Sequence, residues 1–471
     1  MQSPARVRRI KIKAPDDLEA KLREAGDPPR VPLESMTWRL LAPPPQRYNY
    51  RPHLRQGGSG GVLGDALYLF GGFEDNGQRS NSLVEYNFTT HLWRTVECSG
   101  NVPSPRCGHA CVLHAAAREL WLFGGQGPEI GLNTKNLYDD LSILDLDTFV
   151  WRRAVVSCAG ADGHVNFVPI ARRGHSFVLH DNMLYIYGGS GLDRMLSKDA
   201  YFDDLQRLDL ATLCWYEPAM TGSSPGPRSH HSAIMLHGTS YMLVFGGQTA
   251  KTTTTLPSPE RPRSDASEDL PPDTGLANNL VYALDVRTSH WQVVSPLDGT
   301  PPSARYGHVM QQHPVNPLCL FLFGGKTHRG FDDGAIHCLD LELQRWSTLT
   351  HVAPIPPRIR HVFSIVENQM MIFGGCGDKG LCIGDVFTVE MPVLYTPKSL
   401  RLFFEPEDVD DDASIVAPPS PRPHTIAGFM GFKSFQFTPA RPELPRSMIR
   451  VSPIKVAKPP ATAKPWTSVG L

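Results

Sequence analysis

Long apolar runs are missing from this chain. The longest, Leu318 to Phe323, has six residues, against the roughly 20 that a membrane-crossing helix needs, so no membrane partner is expected. Neither sign of charge is in excess. Lys and Arg total 46 against 47 Asp and Glu, a formal net charge of −1, and no global field draws such a chain to nucleic acid or anionic lipid. The basic N-terminal stretch MQSPARVRRIKIKAP is followed by no apolar h-region and no small-residue cleavage site, which argues against a standard secretory signal. The nine Cys include no Cys-x-x-Cys pair, and an odd number without a framework suits reduced thiols. The expected setting is the cytoplasm, with the nucleus as the alternative. What the chain has in plenty is 41 Gly and 43 Pro, about 18 % of its 471 residues, which demand many turns and favour an all-β fold.

A glycine doublet behind an apolar run recurs six times, at Gly72, Gly125, Gly189, Gly247, Gly325 and Gly375. About 13 to 16 residues before each lies Arg-x-x-His: Arg106 and His109, Arg172 and His175, Arg228 and His231, Arg305 and His308, Arg358 and His361. The first copy has Arg55 with Gly58 in the His place. Downstream, an apolar residue and an Asp (Asp145, Asp209, Asp285, Asp340) precede a Trp by six positions: Trp151, Trp215, Trp291 and Trp346. Asn87 and Trp93 keep the same interval.

Over residues 38–395 this ordered set resembles the kelch repeat, which implies four-stranded blades arranged radially in a six-bladed kelch β-propeller. The residues make sense independently. Runs apolar on both faces suit strands sandwiched between neighbouring blades, glycines allow close backbone approach near the axis, and Trp fills the wider gap outside. The repeated His and Trp are therefore read as scaffold. The sixth copy lacks its Trp, whereas Trp38 stands alone 17 residues before Arg55. The strand that carries it is expected to complete the sixth blade, so the propeller is closed by an N-terminal strand that removes its open edges.

With strands named a (with Arg-x-x-His), b (ending in Gly-Gly), c (ending near Asp) and d (with Trp), b–c and d–a connections share one face. The second Gly-to-Asp interval varies from 15 to 38 residues and Trp-to-Arg from 12 to 21, whereas Asp-to-Trp is six wherever it can be measured. Recognition groups concentrate in variable loops on a rigid scaffold, so the b–c/d–a loop face is assigned partner binding. Its candidates are Arg79, Arg173, Arg194, Tyr306, Lys326, His328, Arg329 and Arg360. Arg360 occupies the Gly place of Arg-x-Gly-His, and bidentate capture of a carboxylate or phosphate is one reason to hold a guanidinium there. Aromatic-Asp-Asp recurs at Tyr138, Phe202 and Phe331; its carboxylates are read as turn acceptors rather than metal ligands. No cofactor or metal is expected.

Residues 1–35 are expected to be basic and mostly disordered, 36–396 to form the propeller with a disordered insertion at 251–275, and 397–471 to be a Pro-rich, acidic, disordered tail. Residues 6–13 are open to reading as a nuclear address or a solubilising terminus, and Gly428 to Phe437 as a docking motif or a segment packed on the propeller. The resemblance implies a non-enzymatic scaffold or adaptor that binds a peptide or loop of another protein. The family's roles include ubiquitin-ligase receptors and small-GTPase effectors, so a ubiquitin-ligase component or a small GTPase is among the partners implied. The alternative it carries is a metal-dependent propeller enzyme of the galactose-oxidase or specifier-protein type. No export signal accompanies the former, and the latter's Glu-x-x-x-Asp-x-x-x-His run is lacking.

Overall fold

In the computed structural model each repeat contributes to a sheet built on four antiparallel strands, and the Gly-Gly doublet directly follows the second, except in blade 1, where that strand runs on through it to Glu74. The structure describes residues 9–10, 39–41, 53, 55–130, 135–156, 168–192, 198–250, 275–294, 297–314, 316–331, 334–349 and 355–391. In the order a to d, blade 1 comprises Ser59–Leu63, Ala66–Glu74, Arg79–Asn87 and Leu92–Val96. Blade 2 comprises Ala110–His114, Glu119–Phe123, Leu141–Asp145 and Val150–Arg153. Blade 3 comprises Ser176–His180, Met183–Tyr187, Leu205–Asp209 and Cys214–Tyr216. Blade 4 comprises Ser232–Met235, Tyr241–Phe245, Val281–Asp285 and His290–Val294. Blade 5 comprises Val309–Gln312, Cys319–Phe323, Ile336–Asp340 and Arg345–Leu349.

Blade 6 takes strands a to c from Val362–Val366, Gln369–Phe373 and Val386–Glu390. Its fourth strand is Arg39–Leu41, antiparallel to strand c with Arg39 opposite Glu390 and Leu41 opposite Thr388. The closing strand therefore comes from the N-terminal side, as the orphan Trp38 suggests; Trp38 itself lies outside the described residues. The expected disordered termini and the 251–275 insertion also lie outside them, apart from Arg9–Ile10 and Gly275. Arg9–Ile10 runs parallel to strand d of blade 4.

Six apolar clusters fill the seams between consecutive blades, the last joining Leu67, Leu69 and Trp93 of blade 1 to Met371 and Phe373 of blade 6. One aromatic side chain organises each seam. The residue before every doublet (Phe70, Phe123, Tyr187, Phe245, Phe323, Phe373) is at most 1 % exposed. Four of them are packed between the His and the Trp of the following blade: Phe70 by His109 and Trp151, Phe123 by His175 and Trp215, Tyr187 by His231 and Trp291, Phe245 by His308 and Trp346. Edge-on and tilted contacts of this kind each add about 0.5–1.5 kcal/mol beyond area burial.

The repeated Arg is the second device, and it is buried in every blade. Its Nη1 donates to the carbonyl of the first doublet glycine of its own blade, as from Arg106 to Gly124 at 3.0 Å and from Arg172 to Gly188 at 2.8 Å. Its own carbonyl accepts from the second doublet glycine of the preceding blade, in all six seams at 2.8 to 2.9 Å, with Gly375 donating to Arg55 across the closure. In its first two copies the Aromatic-Asp-Asp motif serves this Arg rather than a turn, and Asp332 and Asp333 of the third lie outside the described residues. Asp140 and Asp204 accept both terminal nitrogens of Arg106 and Arg172, while Tyr138 and Phe202 lie 4.1 and 4.6 Å over the same guanidiniums. A planar fork with five donors fits such a pocket, whereas an ammonium does not. The carboxylate is reserved because a desolvated cation needs a counter-charge.

Two outcomes are expected. Deleting residues 1–42 bares strand c of blade 6 and should lower the melting temperature by at least roughly 10 °C, an unchanged transition being the contrary result. Asp204→Asn leaves Arg172 buried without its anion and should cost about 3 kcal/mol in urea denaturation.

Candidate functional site

In each blade the residue before the repeated His, or before Gly58 in blade 1, leads into strand a from the d–a connection. These residues form a ring in which every N–H donates to the carbonyl of the preceding blade: Gly57 to Arg360, Gly108 to Gly57, Gly174 to Gly108, His230 to Gly174, Gly307 to His230 and Arg360 to Gly307, at 2.7 to 2.9 Å. All six adopt left-handed backbone with φ between 55° and 69°. Glycine enters that region freely; another residue costs about 1–2 kcal/mol. Two blades accept that cost, at His230 and Arg360. The sequence reading singles out Arg360 and misses His230, although the signal is the same: Arg228-Ser229-His230-His231 is Arg-x-x-His with a non-glycine third place.

Both departures meet Arg173, which precedes the ring residue Gly174 in blade 3. Burial in the mouth, then Arg360 and Arg173, hold His230 well below the usual imidazole range. Burial and then the charge of Arg360 likewise lower Arg173. His230 Nδ1 lies 2.7 Å from Ser229 Oγ. Arg173 donates to Gln126 Oε1, and Asp199, which acts on Arg173 in the opposite sense, already pairs with Lys135. Arg360 Nε is buried without a hydrogen-bond partner among the described residues. Two guanidiniums from opposite blades and an imidazole thus act on one another electrostatically beside the ring. A cavity of about 250 Å³ lies along it, lined by the ring, by Ser59, Ser176 and Ser232, and by the repeated His.

The other candidates spread outward from this mouth. Tyr306 precedes ring residue Gly307 and exchanges backbone hydrogen bonds with Lys326 at 3.1 and 2.9 Å. Lys326 opens the hairpin Lys326–Thr327 and Gly330–Phe331 and places its ammonium 5.6 Å from the Phe331 ring. His328 and Arg329 form the exposed hairpin tip, with Arg329 Nε 3.3 Å from His328 Nε2. Arg79 opens strand c of blade 1 and stacks its guanidinium 5.6 Å from Phe73. Arg194 lies outside the described residues.

The five repeated His are 4–8 % exposed. Burial, then the neighbouring Arg, lowers His109, His231 and His361 to about 3 and takes His175 and His308 well below their ordinary value. They are neutral spacers in the seams. The first doublet glycine makes room for them: at Gly246 a Cβ would meet His308 Cε1 at 2.6 Å and the Arg305 carbonyl at 2.5 Å. Among the described residues, no three His, Cys, Asp or Glu side chains gather as a metal would require.

The chain matches the family described as the KLHDC2/KLHL20/DRC7 kelch-repeats domain over residues 57–257 and 270–396. It is 26 % identical over 336 residues to the leucine-zipper-like transcriptional regulator 1 homolog of Drosophila melanogaster, covering 69 % of this chain and 29 % of that protein. It is 29 % identical over 203 residues to the host cell factor homolog hcf-1 of Caenorhabditis elegans, covering 39 % and 24 %. It is 26 % identical over 357 residues to human Kelch domain-containing protein 1, covering 70 % and 77 %. The match thus spans under a third of the first two relatives.

The neutral His set the acid response of the fold. Folded-state values below the unfolded value near 6.5 mean that the unfolded chain binds the extra protons. Stability is then complete above about pH 6.5 and falls as pH drops towards 3, by about 1.4 kcal/mol per pH unit for each His. Urea midpoints measured from pH 7.5 to 5.5 should fall steeply; a flat profile would show that these rings are already charged in the fold.

Proposed function

The chain belongs to the kelch-repeat family, and from that membership we propose that it is a non-enzymatic interaction propeller taking a peptide or loop of another protein on its b–c/d–a face. One observation carries the choice of face and of partner chemistry: two ring positions whose geometry favours glycine hold His230 and Arg360 on the axial cavity, and the charges of Arg360 and Arg173 both bear on His230. Backbone strain is retained where surrounding structure enforces it, and it clusters at functional sites. The charge of Arg360, which with burial depresses Arg173 across a partly desolvated mouth, is relieved by an anion, and Arg is the side chain suited to bidentate capture of carboxylate. The partner segment is therefore acidic at the position that meets the axis.

The surrounding groups support the same reading. Lys326 and Arg329 extend the positive charge along blade 5, while Ile130, Leu192 and Leu381, 62 %, 41 % and 67 % exposed, lie in b–c connections of blades 2, 3 and 6. An acidic residue flanked by apolar ones fits a charged centre with apolar surroundings. The setting proposed is the cytoplasm or nucleus. The names of the relatives do not select a ubiquitin-ligase component, a small GTPase or another class of partner.

Arg360→Gly separates function from stability. It removes a left-handed non-glycine residue, offset in part by the freer unfolded chain, and should raise stability by about 0.5–1 kcal/mol. Partners recovered by affinity purification with the wild-type protein should be lost from Arg360→Gly and from Arg173→Ala, and the wild-type interaction should weaken with added salt. Retention of every partner by both folded variants would remove the axial mouth from the site.

A further inference from the structure

Beside Arg360, the b–c connection of blade 6 folds back on itself and places Cys376 opposite Cys382 in an isolated antiparallel bridge. The flanking hydrogen bonds identify the kind of pair. Gly377 N–H donates to the Leu381 carbonyl at 3.2 Å and Ile383 N–H to the Gly375 carbonyl at 2.9 Å, so 376 and 382 form the non-hydrogen-bonded pair between them. In such a pair the Cα atoms stand about 4.5 Å apart with both side chains on the same side. A disulfide spans Cα separations of about 4.4–6.8 Å. Both residues are free thiols in this structure. Cys376 Sγ is directed to the Gly377 carbonyl at 3.4 Å, and Cys382 Sγ to the Phe73 carbonyl of blade 1 at 3.5 Å.

We infer that Cys376 and Cys382 are a reversible disulfide site, closed by exchange with a small-molecule disulfide of the glutathione type. Cys382 is the more exposed of the two and is met first. Its thiolate attacks one sulfur of the oxidant, expels one glutathione thiolate and forms a mixed disulfide. Cys376, loses its proton and attacks the Cys382 sulfur, expelling the second glutathione; two protein thiols and one glutathione disulfide become one protein disulfide and two glutathione thiols. Burial raises both thiols, while Arg360 and Lys326 favour the thiolate of Cys376, the resolving residue. Closure takes Cys382 Sγ away from the Phe73 carbonyl, so the bond forms at the seam between blades 6 and 1 and beside Arg360. An effect on partner binding rests on the proposed mouth; formation of the bond does not.

The test is incubation of the full chain with oxidised glutathione at pH 8, followed by alkylation and non-reducing peptide mapping. A linked peptide containing Cys376 and Cys382 is expected, lost on addition of reduced glutathione. Cys376→Ser should instead leave a glutathione adduct on Cys382, because nothing resolves it. If the folded wild type yields only adducts, no modification at these residues, or linkage of either cysteine to a different one, the inference is overturned. A linked peptide from a protein that then binds its partners unchanged would leave the thiol site standing and detach it from the mouth.

Discussion

The ring of backbone hydrogen bonds around the axis is the constraint on which the architecture depends. Each ring residue accepts from one blade and donates to the other, and the circuit closes only because Gly57 reaches Arg360. A blade out of register would break two bonds, and every residue in the circuit must hold positive φ. Immediately outside it, the second doublet glycine of each blade bonds the arginine carbonyl of the next. Two concentric circuits thus set the angle between blades before any side chain packs, and the arginine belongs to the outer one through its backbone and to its own blade through its guanidinium.

That arrangement uses up the repeated residues. The guanidiniums of Arg106 and Arg172 are consumed by Asp140 and Asp204 and covered by Tyr138 and Phe202. Arg228 shows what happens when no carboxylate among the described residues pairs with the arginine. It donates to the carbonyls of Pro225, Gly226 and Gly246 and lies over Tyr282, and burial lowers its pKa. The His are neutral and the Trp are inter-blade plates. The proposed function therefore rests on positions where one blade departs from the others, on Arg360 and His230 with Arg173 beside them, rather than on any member of the repeat.

The repeat was legible because packing between blades imposes the same residue at the same register: Gly-Gly, Arg, His and Trp each answer a contact made in several seams. The closure was legible through a missing partner, since a sixth blade without its Trp and a lone Trp38 imply one another. Asp140 and Asp204 were misread because adjacent Asp residues satisfy a turn as readily as an ion pair, and their arginines are 34 and 32 positions away. His230 was hidden by its neighbour, for in the run His230-His231 the scaffold His masks the substituted glycine. The meeting of Arg173 with Arg360 joins opposite blades separated by 187 positions in the numbering, a distance across which no local pattern carries information.

Strain and charge at the mouth have one physical cause. His230 and Arg360 line the axial cavity from ring positions, so a side chain placed at such a position meets whatever enters. Glycine in the same place would keep the circuit and present nothing. In the proposed function, recognition is set against stability at two of six equivalent positions. Only a guanidinium or imidazole held where water is scarce gains enough from an incoming anion to offset that cost. The inferred Cys376–Cys382 bond would act on the same balance, because the neighbouring blade-6 to blade-1 seam is the one at which both circuits close.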